Sequence, residues 1–175
     1  MHQAQITRAA VLLAALGVTA TPAVVAAQAG LYHVVKEIPV GGEGGWDYLT
    51  VDTAAHRLYV SRSTHVMVLD TDRDSVIGDI PNTLGVHGIA FAPALGKGFT
   101  SNGRDSTVTV FDLKTLAPLA SVKVTGRNPD AIMFEPVSGR VFTFNGGSAN
   151  ATAIDAKTNA VVGTVDIGGK PEFAR

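Results

Sequence analysis

The sequence predicts an all-β fold, a β-propeller built from four-stranded antiparallel blades. The first observation is that two stretches of sequence occur three times in register, and equivalent residues lie 40 to 43 positions apart. The second observation is that every repeat unit contains four short strand-like runs. A period of about 40–45 residues with four strands per unit is typical of a propeller blade. The repeated stretches are WDYLTVDTAAHRLYVS (46–61), VHGIAFAPALGKGFTS (86–101) and PDAIMFEPVSGRVFTF (129–144), followed by VMVLDTDRDSVIGDI (66–80), VTVFDLKTLAPLASV (108–122) and ATAIDAKTNAVVGTV (151–165).

Each repeat contains four runs, a to d, that are rich in Val, Ile, Thr and Phe and are bounded by turn residues. Run a is nearly all apolar, as expected for the innermost strand of a blade, which neighbouring blades cover on both faces. After residue 30 no stretch shows helical periodicity. The predicted strands are 49–51, 89–91 and 132–134 (a); 58–60, 98–100 and 141–143 (b); 66–69, 108–111 and 151–154 (c); 76–80, 119–124 and 161–167 (d).

Residues 1–29 are predicted to be a cleavable export signal. Arg8 precedes an apolar run, residues 9–18, that is too short to span a bilayer. Ala27-Gln28-Ala29 supplies a small-residue cleavage site, and Val25-Ala26-Ala27 supplies a competing one. We therefore expect an exported protein, periplasmic or extracellular, with no membrane span after the signal is removed.

Residues 30–175 are predicted to form part of a propeller. Three repeats and a lone outer strand do not close a ring, because propellers have at least four blades. An open arc leaves two apolar blade faces in water. We therefore expect the sequence to be a fragment of about three and a half blades. Its parts are an orphan outer strand at 34–41, repeats at about 46–85, 86–126 and 127–169, and the start of a fourth at 170–175.

The composition excludes several classes of function. A net charge of -1 gives no general field that would attract nucleic acid, so none is expected as a partner. The absence of cysteine excludes disulfides, thiolate metal sites and cysteine nucleophiles. The chain contains no P-loop, no H-E-x-x-H and no G-x-S-x-G motif, and its five histidines show no metal-ligand spacing. The sequence therefore assigns no catalytic residue, no metal ligand and no cofactor.

An aspartate that recurs in every repeat is predicted to be structural. Asp70, Asp112 and Asp155 each end run c just before a turn. A carboxylate in that place accepts hydrogen bonds from the backbone N–H groups that follow. A residue needed once for chemistry would not recur in each blade.

Motifs within the repeats carry a family resemblance. Residues 58–62 read LYVSR at the place of a family motif LYVTN, and residues 66–70 (VMVLD) match its V-x-V-x-D strand. Residues 128–130 (NPD) and 169–172 (GKPE) match its blade openings. Over about residues 31–175 the chain thus resembles the YVTN-repeat (YncE-like) β-propellers, a WD-repeat-like family of exported bacterial proteins. The resemblance implies a seven-bladed ring, about half of which lies outside this sequence, and it implies no single reaction.

The top of the predicted ring, which is the end where each run a begins, collects the candidate binding residues. Carboxylates and an imidazole that converge on one axis can hold a cation or a polar ligand. Alternatively, these side chains hydrogen-bond neighbouring blades or lie in solvent. The candidates are Asp47, His87, Asp130 and Glu172, one per blade, with Trp46 beside them and Arg104 in a loop between runs b and c.

Three functions remain open on the sequence alone. The leading hypothesis is an exported, non-enzymatic binding module that holds an unknown protein partner or small ligand on its top face. The second is a propeller enzyme of the lactonase or dehydrogenase-like type that acts at the channel mouth. The third is a structural cell-surface repeat protein. An enzyme should interrupt the repeat with unique polar residues, and Trp46, His87 and Arg104 are the few candidates.

Overall fold

The computed structural model describes residues 32–174. Within that range the chain forms strands and turns, with one 3₁₀ turn at Pro93–Leu95 and no α-helix. The all-β prediction is confirmed, and each predicted run overlaps an observed strand. The strands are β1 (Leu49–Asp52), β2 (Arg57–Ser61), β3 (Val66–Asp70), β4 (Ser75–Ile80), β5 (Val86–Ala92), β6 (Lys97–Asn102), β7 (Thr107–Asp112), β8 (Pro118–Lys123), β9 (Pro129–Glu135), β10 (Arg140–Asn145), β11 (Asn150–Asp155) and β12 (Val161–Asp166).

The strands form three four-stranded antiparallel sheets, and each sheet follows chain order: β1 to β4, β5 to β8 and β9 to β12. Strand β5 packs against both β1 and β9, so the first strands of the three sheets are neighbours. The last strands, β4, β8 and β12, are mostly exposed. Each sheet therefore has an inner and an outer edge, in the order expected for a blade.

The core lies between adjacent sheets. Each of two clusters combines buried apolar side chains from successive repeats, which is how stacked units bury faces that none can bury alone. The first cluster comprises Tyr59, Val66, Val68, Ile80, Val86, Ile89, Phe111 and Leu116. The second comprises Ala92, Phe99, Val108, Val110, Val124, Val141, Ile154 and Ala156.

Basic side chains at the start of the second strands also join the sheets. Arg57 Nη1 donates to the Leu113 carbonyl at 2.6 Å. At the equivalent position of the next repeat, Lys97 Nζ donates to the carbonyls of Ala156 and Lys157, at 3.1 and 2.9 Å. These bonds lie at the opposite end of the inner strands from the candidate binding residues, because β1 and β2 are antiparallel and Arg57 pairs with the last residue of β1.

The structural interpretation of the recurring aspartates is confirmed. Asp70 Oδ1 accepts from the backbone N–H groups of the two turn residues 72 and 73, and Asp112 Oδ1 accepts from those of 114 and 115. Asp155 Oδ1 accepts from the N–H and the hydroxyl of Thr158. These hydrogen bonds favour the charged form and lower the pKa of all three carboxyl groups.

The segments that precede the first blade are the predicted orphan strand and the predicted export signal. Residues 34–41 form no strand, whereas the sequence predicts an orphan outer strand there. A strand needs a hydrogen-bonded neighbour, and the predicted one would belong to a last blade other than the three described here, so the orphan strand stays a prediction. The predicted export signal, residues 1–29, lies outside the described residues. In residues 32–174 no helix has the length and apolar character needed to cross a membrane.

Candidate ligand-binding site at the top of the inner strands

Three of the candidate residues occupy equivalent places at the start of the inner strands. Asp47 lies two residues before β1, His87 is the second residue of β5, and Asp130 is the second residue of β9. Because β5 packs against both β1 and β9, the three side chains come to the same end of adjacent strands. We call these three residues the top cluster.

The top cluster is compact. One ligand atom from each of Asp47, His87 and Asp130 lies within 4.8 Å of the other two. His87 Nδ1 and Asp47 Oδ2 are 2.5 Å apart, and the two side chains are 27% and 44% exposed. The cluster is thus joined by an imidazole–carboxylate contact between two blades and remains accessible to solvent.

Asp130 differs from the turn aspartates in what surrounds its carboxylate. Among residues 32–174 we find no hydrogen bond to its side-chain oxygens, whereas each turn aspartate accepts at least two. Partial burial raises the pKa of Asp130, the carboxylates of Asp47 and Glu172 raise it further, and His87 opposes them. The cluster therefore holds a half-buried carboxylate to which no described residue donates a hydrogen bond.

Two buried serines fix the backbone around the cluster. Ser61 Oγ accepts from the Asp47 N–H at 3.0 Å and donates to the Tyr48 carbonyl at 3.2 Å. The equivalent Ser101 accepts from the Gly88 N–H at 2.9 Å and donates to the carbonyl of Asp130 in the next blade. Both serines are fully buried. Ser61 therefore holds the backbone around Asp47 from the second strand of its own blade, and Ser101 links the backbone after His87 to Asp130 in the next blade.

Arg62 fastens the segment that leads into Asp47. Its guanidinium donates to four backbone carbonyls of the glycine-rich segment 41–44, at 3.0 to 3.1 Å. Gly44 has φ +88°, and a Cβ on it would lie 2.5 Å from the Arg62 carbonyl oxygen. Arg62 occupies the repeat position of Asn102 and Asn145, whose amides instead bond threonines of their own sheets. In the first blade, the hydrogen bonds from this position therefore go to segment 41–44, which leads into Asp47, and not to a threonine of the sheet. We call these four bonds the Arg62 clamp.

The absence of a side chain at Gly103 leaves space for the imidazole of His87. A Cβ at Gly103 would lie 2.6 Å from His87 Nε2 and 2.5 Å from the Asn128 side-chain oxygen. Nε2 is therefore the ring nitrogen that faces this loop, and Nδ1 is the one that faces Asp47. Any larger residue at position 103 would push the imidazole or Asn128 away.

Glu172 lies near the top cluster without joining it. Its carboxylate forms an ion pair with Lys170. Its backbone carbonyl accepts from the Tyr48 hydroxyl at 2.9 Å, and the ring of Tyr48 stacks on Phe173. The negative charge of Glu172 still contributes to the raised pKa of Asp130. The repeat aligns Glu172 with the three residues of the top cluster, but its carboxylate pairs with Lys170.

The other two candidates are exposed. Trp46 is 75% exposed, beside Asp47 in the chain. Arg104 is exposed, and its backbone N–H donates to the Leu84 carbonyl at 3.3 Å. In the described part of the chain no hydrogen bond or ion pair joins the Arg104 side chain to the top cluster. Sequence reasoning missed Ser61, Ser101 and Arg62, although their recurring or deviating repeat positions were a usable signal.

The arrangement suits the binding of a positively charged or hydrogen-bond-donating group. Two carboxylates bring negative charge to one point, and the imidazole adds a nitrogen donor that holds one of them in place. The same three atoms are a possible set of metal ligands, since imidazole nitrogen and carboxylate oxygen are common donors to divalent transition metals.

Comparisons with known proteins establish the fold. No protein-family model and no curated protein sequence matches the chain. Hydrazine synthase of Kuenenia stuttgartiensis is similar in structure, with a TM-score of 0.70 and 17% identity over 81% of this chain and 42% of that chain. The structure of U3-55K and the crystal structure of the RRP9 WD40 repeats each give a TM-score of 0.65 at 10% identity, over 72% of this chain and 40% of theirs. The chain thus spans less than half the length of these relatives. The three sheets are blades of a β-propeller.

Proposed function

We propose that this chain is part of an exported β-propeller that binds a cation or a small polar ligand at the top cluster. One observation carries the proposal: three successive blades each bring one ionisable side chain to the same point, with ligand atoms within 4.8 Å of one another. The turn aspartates repeat because every blade needs one. The top cluster carries aspartate in two blades and His87 in the blade between them, which suits a single shared ligand better than a repeated structural role.

The state of Asp130 supports a binding role. A half-buried carboxylate without a donor is unfavourable, because burial removes water that would otherwise solvate it. At the opposite end of the blades, by contrast, Lys97 at the start of β6 is paired with the Ala156 carbonyl and the Asn159 side chain of the neighbouring repeat. A bound cation or donor group would supply at the top the partner that residues 32–174 do not.

We also propose that the protein belongs to the YVTN-repeat (YncE-like) family and is exported. The LYVSR and VMVLD motifs support the family, and the signal-like composition of residues 1–29 supports export. Mass spectrometry of the mature protein tests export, with Gly30 or Gln28 expected at the N-terminus. Recovery of the protein with Met1 intact from the periplasm or the medium would contradict it.

Ligand-dependent thermal shifts test the binding function. The complete product of the reading frame is treated with chelator and screened against divalent cations, amines and sugars. We expect a shift that the Asp47→Asn/Asp130→Asn double variant loses. Asp79→Asn is the matched control. Asp79 lies in the outer strand β4 and pairs with His65, with 3.7 Å between its Oδ1 and His65 Nε2, and it is not part of the top cluster. A shift that persists in the double variant would place the ligand elsewhere.

A further inference from the structure

We propose that the ligand of the top cluster is a first-row divalent transition-metal ion held by Asp47, His87 and Asp130. The donors are one carboxylate oxygen from each aspartate and Nδ1 of the imidazole. The inference rests on the proposed function and names the class of ligand that the site takes.

The spacing of the three donors is close to that of a metal centre. Zn²⁺ binds imidazole nitrogen and carboxylate oxygen at about 2.0–2.2 Å, which puts two donors of a tetrahedral site about 3.4 Å apart. The three donor atoms lie within 4.8 Å of one another, and the pair from Asp47 and His87 is 2.5 Å apart. To bind one ion, the Asp47–His87 pair must open from 2.5 Å to about 3.4 Å, with the Asp130 oxygen as the third donor.

The type of the donors selects the class of metal. Ca²⁺ and Mg²⁺ prefer sites built of oxygen alone, whereas imidazole favours zinc and its first-row neighbours. The absence of cysteine leaves no thiolate to favour soft metals. A mixed set of one nitrogen and two oxygens therefore favours a transition metal over the alkaline-earth ions.

The electrostatics of the cluster favour a dication. Two carboxylates and one imidazole lie together, so with neutral imidazole the three groups carry two negative charges. A divalent ion neutralises the pair of carboxylates and gives the Asp130 side chain the partner that it lacks in residues 32–174.

The two ring nitrogens of His87 face different surroundings. When Nδ1 binds a metal, the proton stays on Nε2, which can then donate to a neighbouring oxygen and fix the ring. Nε2 and the Asn128 side-chain oxygen border the same space at Gly103. Nε2 therefore faces Asn128, with no hydrogen bond between them in residues 32–174, and Nδ1 faces the carboxylate of Asp47.

Other imidazole–carboxylate pairs in the chain provide an internal comparison. His56 pairs with Asp72 at 2.9 Å, and His65 pairs with Asp79 at 3.7 Å. Neither pair belongs to a group of three metal-ligating side chains in the described part of the chain. The second carboxylate, from Asp130, is what distinguishes the top cluster.

Calorimetric titration with Zn²⁺ tests the inference on the complete, chelator-treated protein. We expect one zinc ion per chain at the cluster, bound at least about tenfold more weakly by Asp130→Asn and by His87→Asn. Asp79→Asn should bind zinc as the unaltered protein does. If a variant fails to fold, X-ray absorption at the zinc edge of the unaltered protein should show one imidazole among oxygen donors.

Three outcomes would overturn the inference. They are no zinc binding by the unaltered protein, equal binding by Asp130→Asn and the unaltered protein, or an absorption spectrum without imidazole. The metal inference can fail while the proposed binding function holds. If an amine or a sugar binds in a manner that depends on Asp47 and Asp130 while zinc does not, the binding site stands and the metal does not.

Discussion

His87 Nδ1 lies 2.5 Å from Asp47 Oδ2, although the two residues are 40 positions apart and belong to different blades. The contact forms because each residue stands at the start of the inner strand of its blade, and these strands pack side by side. Asp130, on the next inner strand, completes a group of three. The repeat therefore brings residues of different chemistry to one point through the same backbone position.

The first prediction concerns the charge of Asp130. Because burial raises its pKa, the folded protein holds this proton more tightly than the unfolded chain does. The associated stability is present below the ordinary value of 3.8 and is lost as the pH rises through the raised pKa. Without metal, Asp130→Asn should therefore melt a few degrees higher than the unaltered protein at pH 7.

Thermal melts of the two proteins from pH 3 to pH 7 measure this gap. The difference should disappear near pH 3, where both side chains are neutral. If Asp130→Asn melts at a lower temperature than the unaltered protein at pH 7 in the presence of chelator, the prediction is contradicted. The Asp130 carboxylate then stabilises the metal-free fold.

The second prediction concerns the Arg62 clamp. Arg62→Ala removes four hydrogen bonds to segment 41–44 and should release the chain that leads into Asp47. We expect zinc affinity to fall severalfold and proteolysis within 41–45 to become faster, while the sheets persist by circular dichroism. Arg73→Ala is the matched control, because the Arg73 side chain is 78% exposed and pairs with Asp70 of its own turn. Unchanged affinity in Arg62→Ala would show that the clamp does not position Asp47.

The third prediction concerns Ser61. Its hydroxyl satisfies the Asp47 N–H and the Tyr48 carbonyl in a fully buried place. Ser61→Ala should lower the free energy of unfolding by about 1–3 kcal/mol, since buried polar groups lose their partner. Urea denaturation measures the change, with Ser75→Ala on the exposed strand β4 as the control. Equal losses in both variants would contradict a specific role for Ser61.

The fourth prediction concerns the contact between the second and third blades. Lys97→Met removes the ammonium that binds the carbonyls of residues 156 and 157 and the side chain of Asn159. We expect a loss of about 1–3 kcal/mol in the free energy of unfolding, because hydrogen bonds from a charged donor are involved. Zinc affinity should not change, since Lys97 lies at the opposite end of the strands. A loss of zinc binding would show that the two ends are coupled.

The sequence predicted the strands well because short apolar runs and turn residues recur in each repeat. Strands β5 and β9 begin earlier than predicted, at Val86 and Pro129, because His87 and Asp130 interrupt the apolar pattern inside them. A proline at the first position of a strand is compatible with that strand. The repeat thus predicted where the strands lie, but the polar residues of the site obscured where β5 and β9 begin.

The candidate site was predictable in part. Alignment of the repeats placed Asp47, His87 and Asp130 at equivalent positions, and their convergence follows from the packing of the inner strands. The pairing of Glu172 with Lys170 depends on the path of the chain after β12, which no periodicity describes. The Arg62 clamp likewise depends on the course of segment 41–44, where positive φ at Gly41, Gly42 and Gly44 sets the backbone.

Anomalous diffraction at the zinc edge tests the central claim most directly. Crystals of the complete protein, grown or soaked with Zn²⁺, should show a peak between the carboxylates of Asp47 and Asp130 and Nδ1 of His87. Asp130→Asn crystals treated in the same way should lose that peak. Peaks confined to other places, such as the His65–Asp79 pair, would contradict the account of the top cluster as a metal site.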